Sequence, residues 1–209
     1  MYNRVNNSLR GRMVKKFCIM STGSDLMTGN TPDYGADQLT KCLETNVSGE
    51  EDFLAEIVLE LLERNSATLA LAESCTGGLI GKMLTDIPGS SRFFWGGVIS
   101  YSNDAKTRVL GVKSGTLQEY GAVSPETAGE MARGIRNVSG CHYGLSITGI
   151  AGPDGGSVKK PVGLVYVGLA AAEGEQTKEL RLPGDRNRVR TLAAQHALEW
   201  FIRYLEKKS

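Results

Sequence analysis

The sequence predicts an α/β protein, a three-layer α/β/α sandwich with a mixed, mostly parallel sheet. Short apolar runs typical of strands alternate with segments in which apolar residues recur at helical spacing, as expected when helices pack on both faces of a sheet. Three successive strand-like runs near the end, two of them joined by a hairpin signal, add antiparallel neighbours. Ligands of such sheets usually bind beyond the carboxyl ends of the strands.

The first part of the chain differs from the rest. Residues 1–47 contain one short apolar run, Val14 to Met20, followed by a stretch rich in Gly, Thr, Asp and Asn with little periodicity. We expect this extension to lack a core of its own, and we place the domain proper at residues 48–209. A length of 209 residues suits one ordinary domain with some excess.

The predicted domain opens with a helix, a strand and a second helix. Ser48 and Glu51 have the spacing of a capping box, and the apolar residues after them recur on one helix face. The apolar run from Ala67 to Ala72 predicts the first strand. The apolar positions of the second helix are Leu79, Ile80, Met83 and Leu84.

The middle of the chain continues this alternation. Phe93 to Tyr101 predicts a second strand, and Asn103 to Leu110 predicts a short helix. Ser124 before Pro125 predicts the start of a longer helix, because serine caps helices and proline is favoured at the first helical position.

Three strands and a closing helix end the chain. The strands are predicted at Tyr143 to Thr148, Val162 to Ala172 and Thr177 to Leu182, with a hairpin turn at Glu173-Gly174-Glu175. The closing helix is predicted from about Arg186 to Glu206. Its predicted apolar face consists of Val189, Leu192, Ala193, His196, Ala197, Trp200 and Tyr204.

Composition and charge exclude several classes of function. The chain has 24 Lys and Arg against 23 Asp and Glu, a net charge of +1, so its overall charge favours neither nucleic acid nor an anionic membrane. No apolar stretch approaches the roughly 18 residues of a membrane span, and no signal peptide is evident. The four cysteines are scattered and there are two histidines, so neither disulfides nor a metal site is predicted. We expect a cytoplasmic protein without metal or cofactor.

The most informative segment is Ser74-Cys75-Thr76-Gly77-Gly78, between the first predicted strand and the helix that follows it. A hydroxyl at such a turn lies beside unpaired backbone N–H groups at the positive end of a helix dipole. This arrangement suits a nucleophile with an oxyanion site, or a bound anion. The alternative is that Ser74 or Thr76 only caps the helix while the glycines let the chain turn.

Lys106 is a candidate base for Ser74 if the fold brings the two together. A serine hydroxyl becomes a good nucleophile when a base takes its proton, and lysine can do so when burial or nearby cations lower its pKa from about 10.4. Serine–lysine pairs are a known variant of the catalytic triad; a solvated surface lysine is the ordinary alternative. His196 is predicted in the core and His142 at the surface. Cys75 could be a reactive thiolate, but no histidine is evident to activate it.

Other polar residues follow predicted strand ends. The glycine-rich segment from Thr148 to Gly156 permits close approach of the backbone to a ligand, or is a flexible loop. Tyr101 could donate a hydrogen bond or relay a proton, and Arg186 could reach an anionic ligand. Asp104 and Asp154 lack the paired carboxylate that would define a metal site.

Seven segments together carry a resemblance to a known family. They are Ala72-Glu73-Ser74-Cys75-Thr76-Gly77-Gly78, Pro88-Gly89-Ser90-Ser91, Tyr101-Ser102-Asn103-Asp104-Ala105-Lys106, Gly121-Ala122-Val123-Ser124, Thr148-Gly149-Ile150-Ala151-Gly152-Pro153-Asp154-Gly155-Gly156, Lys160-Pro161-Val162-Gly163 and Gly184-Asp185-Arg186. They occur in the order seen in the C-terminal domain of the CinA family. Between about Glu51 and Lys207 the chain closely resembles that domain in its PncC type, a nicotinamide-nucleotide amidohydrolase whose fold is likewise a three-layer sandwich with a mixed sheet.

The resemblance implies an activity and a set of site residues. The activity is hydrolysis of the carboxamide of nicotinamide mononucleotide to nicotinic acid mononucleotide and ammonia, without a metal, in pyridine nucleotide recycling. On the matching positions Ser74 is the nucleophile and Lys106 the general base, and we give Tyr101 a supporting role in proton transfer. The residues that we expect to bind the substrate are Thr76, Gly77 and Gly78, through oxyanion-binding N–H groups, Thr148, Gly149 and Gly152 in the nucleotide pocket, and Arg186 at the phosphate.

The sequence leaves two other functions open. The domain could be a non-catalytic module that binds a nucleotide or a partner in the competence or DNA-damage context after which the family is named, although Ser74 and Lys106 argue against this. It could also be an amidase for a different small amide. We expect a small-molecule nucleotide as the partner, with neither nucleic acid nor membrane, and a homo-oligomer is left open.

The extension resembles part of a different domain. Val14 to Asn46 is similar to the opening strand and helix of the molybdopterin-binding-like domain that precedes this one in full-length CinA proteins. Nearly all of that domain is absent, so the remnant is not expected to carry the pyrophosphatase activity of the longer architecture. We expect a loosely ordered extension or a packing arm.

Overall fold

The computed structural model describes residues 49–208, which form helices on both sides of a run of strands along the chain. The helices are α1 (Gly49–Arg64), α2 (Leu79–Thr85), α3 (Asn103–Leu110), α4 (Ser114–Glu119), α5 (Pro125–Ser139) and α6 (Arg186–Glu206), with a 3-10 turn at Ser90–Arg92. The strands are β1 (Leu69–Glu73), β2 (Phe94–Ile99), β3 (Tyr143–Gly149), β4 (Leu164–Ala171) and β5 (Gly174–Arg181). The predictions for residues 1–47 and the capping box of Ser48 with Glu51 lie outside what the structure describes and stay predictions.

These strands form one mixed sheet in the order β2-β1-β3-β4-β5. β1 pairs in parallel with β2 and β3, whereas β4 pairs antiparallel with β3 and β5. Four of the strands in the described part of the chain therefore run in one direction, and β4 runs against them. The predicted α/β class with a mixed, mostly parallel sheet is confirmed.

Helices cover both faces of this sheet. Ala70 and Ala72 of β1 face a core cluster that includes Leu110 at the end of α3 and Met131 of α5. Successive strand residues point to opposite faces, so Glu73 belongs to the other face. There α2 contacts β1 and β2, α6 contacts β3 and β4, and α1 packs against α2 and α6. The three-layer arrangement follows from these contacts.

Close backbone packing fixes the position of α3. Gly134 of α5 lies against the carbonyl of Leu110, because a Cβ at position 134 would be 1.9 Å from that oxygen. Gly144 of β3 approaches the carbonyl of Ala132 in the same way, at 2.2 Å from the position of a Cβ. A larger side chain at either position would force the elements apart. Helix α3, which carries Lys106, is therefore held at a defined distance from the sheet.

Two local features differ from the predictions. Ala171 pairs with Gly174, so the hairpin turn consists of Ala172 and Glu173, and β5 begins at Gly174, three residues before the predicted start at Thr177. Helix α4 and the 3-10 turn were not predicted, because Ser114–Glu119 and Ser90–Arg92 contain few apolar residues and give no periodic signal.

The buried face of α6 is rotated relative to the prediction. His196, predicted in the core, has a side chain that is 39% exposed, and its Nδ1 lies 3.0 Å from Glu199 Oε2. Trp200 and Tyr204 are half-buried. The residues that α6 buries are Val189, Ala193, Ala194, Ala197, Leu198, Phe201, Ile202 and Leu205. The prediction was wrong because Phe201 and Leu205, which are fully apolar, are buried in the core, whereas Trp200 and Tyr204, which each carry a polar group, are only half-buried.

Candidate active site

The turn between β1 and α2 lies at the carboxyl edge of the parallel strands, as predicted. The N–H of Ser74 donates to the carbonyl of Ile147 at 2.9 Å and so extends the pairing of β1 with β3 by one residue. Gly77 and Gly78 then adopt φ values of +63° and +95°. Residues other than glycine rarely adopt this left-handed backbone. The chain can thus turn sharply from strand to helix and leave Ser74 at the edge of the sheet.

Lys106 and Ser74 meet at this edge. Lys106 lies in the first turn of α3, which Ser102 caps by accepting a hydrogen bond from the N–H of Ala105. Its Nζ lies 3.1 Å from Ser74 Oγ and donates to the carbonyl of Ser100 at 2.7 Å. Lys106 is 1% exposed and Ser74 is 8% exposed.

Burial sets the chemistry of this pair. Because an ammonium is costly to desolvate, burial lowers the pKa of Lys106 below its ordinary value of 10.5. A neutral amine can accept the proton of a neighbouring hydroxyl, which the ammonium cannot do. The carbonyl of Ser100 takes one N–H of the amine and thereby orients it. The pair has the composition and distance of a nucleophile with its general base.

Cys75 is the alternative nucleophile in the same turn. Its side chain is buried, and burial, followed by the nearby charge of Glu73, raises the pKa of the thiol to about 12. A thiolate is the reactive form of cysteine. The environment of Cys75 therefore disfavours a reactive thiolate, whereas that of Lys106 favours a neutral amine beside Ser74.

Glu73, to which the sequence analysis gave no role, occupies the N-terminus of α2. Its carboxylate accepts hydrogen bonds from the N–H groups of Gly78, Ile80 and Gly81, at 2.9, 3.2 and 2.8 Å. The N–H of Gly77 donates to the carbonyl of Ser74 at 3.1 Å. These contacts correct the expectation that Gly77 and Gly78 donate to an oxyanion, because both amides already have acceptors.

The helix-capping alternative for Ser74 and Thr76 is also corrected. The N-cap position of α2 is Gly78, and no side chain at that position caps the helix. Thr76 is fully buried, and its Oγ1 has no hydrogen-bond partner among residues 49–208. Its carbonyl accepts from Arg190, at 2.6 Å from one terminal nitrogen and 3.2 Å from Nε. Arg190 of α6 is a second neighbour of the turn that the sequence analysis missed.

Three predicted residues converge beyond the carboxyl ends of β2 and β3. One terminal nitrogen of Arg186 donates to the carbonyl of Gly152 at 2.8 Å, and the other donates to the hydroxyl of Tyr101 at 2.8 Å. Arg186 is exposed and Tyr101 is 60% exposed. The arginine thus joins the loop after β2 to the glycine-rich loop. Its guanidinium is exposed to solvent, and the two groups that accept its hydrogen bonds are neutral.

Thr148 and Gly149 have structural contacts at the end of β3. Thr148 is 1% exposed, and its Oγ1 donates to the carbonyl of Ala122 at 2.7 Å. A Cβ at Gly149 would lie 2.6 Å from Cγ2 of Val165 and 2.8 Å from the carbonyl of Leu164. The hydroxyl of Thr148 therefore fixes the loop before α5, and Gly149 allows close packing against β4.

The remaining candidates lie in ordinary surface contacts. Asp104 forms an ion pair with Arg108 one turn later at 2.7 Å, and Asp154 is exposed. His142 is exposed as predicted, with Nδ1 accepting from the N–H of Thr68 at 3.1 Å. In the part of the chain that the structure describes, no three His, Cys, Asp or Glu residues are grouped to hold a metal ion. No helix there has the length and apolar character needed to cross a membrane.

The fold and the site define a three-layer α/β protein with a buried serine–lysine pair at the carboxyl edge of its sheet. The CinA C-terminal domain family matches residues 51–205 of this chain. The chain belongs to the CinA family.

Relatives in bacteria agree with this assignment. A competence-damage inducible protein of Caldanaerobacter subterraneus subsp. tengcongensis is 55% identical over 157 residues, which are 75% of this chain and 38% of that protein. A CinA-like protein of Syntrophomonas wolfei is 51% identical over 175 residues, 83% of this chain and 42% of that protein. The chain thus spans less than half the length of these relatives.

Solved structures show the same fold. The competence/damage inducible protein CihA from Agrobacterium tumefaciens is 41% identical with a TM-score of 0.73, and the match covers 76% of this chain and 96% of that one. A CinA superfamily protein from Klebsiella pneumoniae is 31% identical with a TM-score of 0.73, covering 75% of this chain and 98% of that one. In these proteins the matching unit is nearly the whole chain of the solved structure.

Proposed function

We propose that this protein hydrolyses the carboxamide of nicotinamide mononucleotide to nicotinic acid mononucleotide and ammonia. Ser74 is the nucleophile and Lys106 the general base. The observation that carries the proposal is the 3.1 Å contact between Lys106 Nζ and Ser74 Oγ in a buried site where the pKa of the lysine is lowered. The resemblance to the nicotinamide-nucleotide amidohydrolases supplies the substrate.

The reaction proceeds in two halves. Ser74 Oγ attacks the carboxamide carbon while its proton passes to Lys106 Nζ, and the resulting ammonium protonates the leaving nitrogen as the C–N bond breaks. Ammonia leaves and an ester remains on Ser74. Lys106, neutral again, takes a proton from water as the water attacks the ester. Breaking the ester C–O bond returns the proton to Ser74 and releases the acid.

Arg186 supports an anionic substrate at the same edge. Its two hydrogen-bond partners, the carbonyl of Gly152 and the hydroxyl of Tyr101, are neutral. An arginine fork binds phosphate in a bidentate manner, and a solvent-facing guanidinium can exchange neutral partners for a phosphate. In this proposal Arg186 binds the 5′-phosphate, and Tyr101, whose hydroxyl accepts from Arg186, has the supporting role in proton transfer.

We expect the purified protein to release ammonia from nicotinamide mononucleotide, and the substitution Arg186→Met to lower kcat/KM about 10- to 100-fold through KM, because a charge-assisted phosphate contact is lost. The dephosphorylated analogue nicotinamide riboside should be a poor substrate for both the wild type and Arg186→Met, with the same kcat/KM for each. The measurement is coupled detection of ammonia, with the acid product identified by chromatography.

Arg181→Met is the matched control. Arg181 is an exposed arginine at the end of β5, which β3 and β4 separate from β1 in the sheet, and it is paired with Glu179. Its replacement should leave both substrates unaffected. A folded wild-type protein that releases no ammonia, with or without divalent metal, would contradict the proposal and favour another amide substrate or a binding module. An Arg186→Met variant that loses equal activity on both substrates would contradict the phosphate assignment alone.

A further inference from the structure

The carboxylate of Glu73 is an unusual group to find at the end of a buried strand. The five residues of β1 are all buried, and Glu73 is 3% exposed. A buried charge is costly unless it is paired or hydrogen-bonded. Among the described residues its side-chain partners are the three N–H groups at the start of α2, rather than a cation. The N–H groups at the start of α2 therefore provide the hydrogen bonds that stabilise this buried carboxylate.

Glu73 connects the two ends of the turn that carries Ser74. Its backbone carbonyl accepts from the N–H of Ser100 at 2.8 Å, which fixes it to β2. Its side chain reaches over the turn to Gly78, Ile80 and Gly81 and thereby supplies the cap that Gly78 lacks. The turn from Ser74 to Gly77 is therefore fixed at its start by strand pairing and at its end by the hydrogen bonds of the Glu73 carboxylate.

We infer that Glu73 is a positioning residue, whose carboxylate holds the turn from Ser74 to Gly77 so that Ser74 Oγ stays within hydrogen-bonding distance of Lys106. The carboxylate acts through the backbone of the turn, and it does not contact the reacting atoms. It also accepts from the N–H of Gly78, one of the three groups expected to bind an oxyanion, so the positive end of α2 stabilises Glu73. The inference rests on the proposed role of Ser74 as nucleophile, but it does not depend on the substrate.

The variant Glu73→Gln separates positioning from simple filling of space. Glutamine has nearly the same shape, but its NH₂ group donates where one carboxylate oxygen accepts, so it cannot accept hydrogen bonds on both sides. We expect the turn to relax and Ser74 to move relative to Lys106. A misplacement of about 1 Å can cost on the order of 100-fold in rate.

The test is the labelling of Ser74 by a small alkyl fluorophosphonate, followed by mass spectrometry. Ser74 Oγ forms a bond to phosphorus, fluoride leaves, and the serine proton passes to Lys106. We expect Glu73→Gln to lower the labelling rate of folded protein about 100-fold, and Glu73→Asp, which keeps the charge and both acceptors, to recover part of it. On nicotinamide mononucleotide the loss should fall on kcat, with KM unchanged.

Two variants separate positioning from stability. Glu130→Gln is the matched control, because Glu130 also accepts a backbone N–H, that of Lys113 at 2.8 Å, but it lies on α5. The double variant Glu73→Gln, Gly81→Ala raises the helix propensity of α2. A Cβ at position 81 would lie 3.5 Å from Oε1 of Glu73 and 3.9 Å from the ring of Phe94, which are ordinary van der Waals contacts. The double variant supplies folded protein if the single variant is too unstable, and we expect its labelling to stay slow.

The outcomes are distinct. If Ser74 of the wild type is labelled and folded Glu73→Gln is labelled equally fast, the role of Glu73 alone is overturned. The double variant decides in the same way if the single variant does not fold. A wild-type protein that is never labelled at Ser74 would overturn the nucleophile and, with it, this inference. Labelling at Ser74 without ammonia release from nicotinamide mononucleotide would contradict only the proposed substrate.

Discussion

Replacing Lys106 by methionine is expected to abolish turnover while the protein stays folded. Methionine is unbranched and nearly as long, so it can fill the space of this 1% exposed side chain without a charge. Ser74 then has no base, and removal of a general base from a serine nucleophile should cost about 10³- to 10⁴-fold in kcat. The measurement is ammonia release from nicotinamide mononucleotide at enzyme concentrations high enough to detect the residual rate.

A surface lysine provides the control for this substitution. Lys113→Met changes a lysine whose side chain is 75% exposed and should leave the rate within about twofold of the wild type. Circular dichroism and a thermal melt establish that both variants are folded. A folded Lys106→Met protein with a rate close to that of Lys113→Met would show that Lys106 is not the base.

The rate should also depend on pH in a way that reports on Lys106. The base must be neutral, so log(kcat/KM) should rise with a slope of about one per pH unit until the lowered pKa of Lys106 is passed, and then level off. The plateau should begin below pH 10.5, the ordinary pKa of the side chain, because burial lowers the pKa of Lys106. A profile that keeps rising with unit slope through pH 10.5 would contradict a lowered pKa.

The same pKa shift predicts the sign of a stability difference. Between the lowered pKa of the folded state and the ordinary value of 10.5 in the unfolded state, the unfolded chain binds more protons. The free energy of unfolding then rises with pH by up to about 1.4 kcal/mol per unit, and the cost of the buried ammonium is fully present only below that window. The wild type should therefore gain stability relative to Lys106→Met as the pH rises through the window. A difference independent of pH, measured by chemical denaturation, would oppose this.

The pattern of the sequence predicts the fold, and the family resemblance predicts the pairing of Ser74 with Lys106. The apolar run predicted β1 to within two residues at its start and one at its end, and the predicted bounds of helix α3, Asn103 to Leu110, are those observed. Because the ends of β1 and β2 meet at one edge of a parallel sheet, convergence of the segments that follow them was plausible. The pairing of Ser74 with Lys106 came from the family resemblance.

Contacts made by side chains across the fold were harder to predict. Glu73 looks like a strand terminus in the sequence, and only the path of the turn shows that its carboxylate reaches back to Gly81. Arg190 contacts the carbonyl of Thr76 from a helix 114 positions later, and no local pattern carries that information. The usable signal for Glu73 was a charged residue ending an otherwise apolar run, which must find hydrogen-bond partners when buried.

The central claim is that Ser74 Oγ attacks the substrate, and the most direct measurement is ammonia release from nicotinamide mononucleotide by Ser74→Ala. The matched control is Ser146→Ala, which removes another buried hydroxyl, bonded to the carbonyl of Ala128 at 2.6 Å. We predict that Ser74→Ala loses about 10³-fold or more in kcat while Ser146→Ala loses stability but keeps its rate. A folded Ser74→Ala protein that retains more than about a tenth of the wild-type rate would contradict the account.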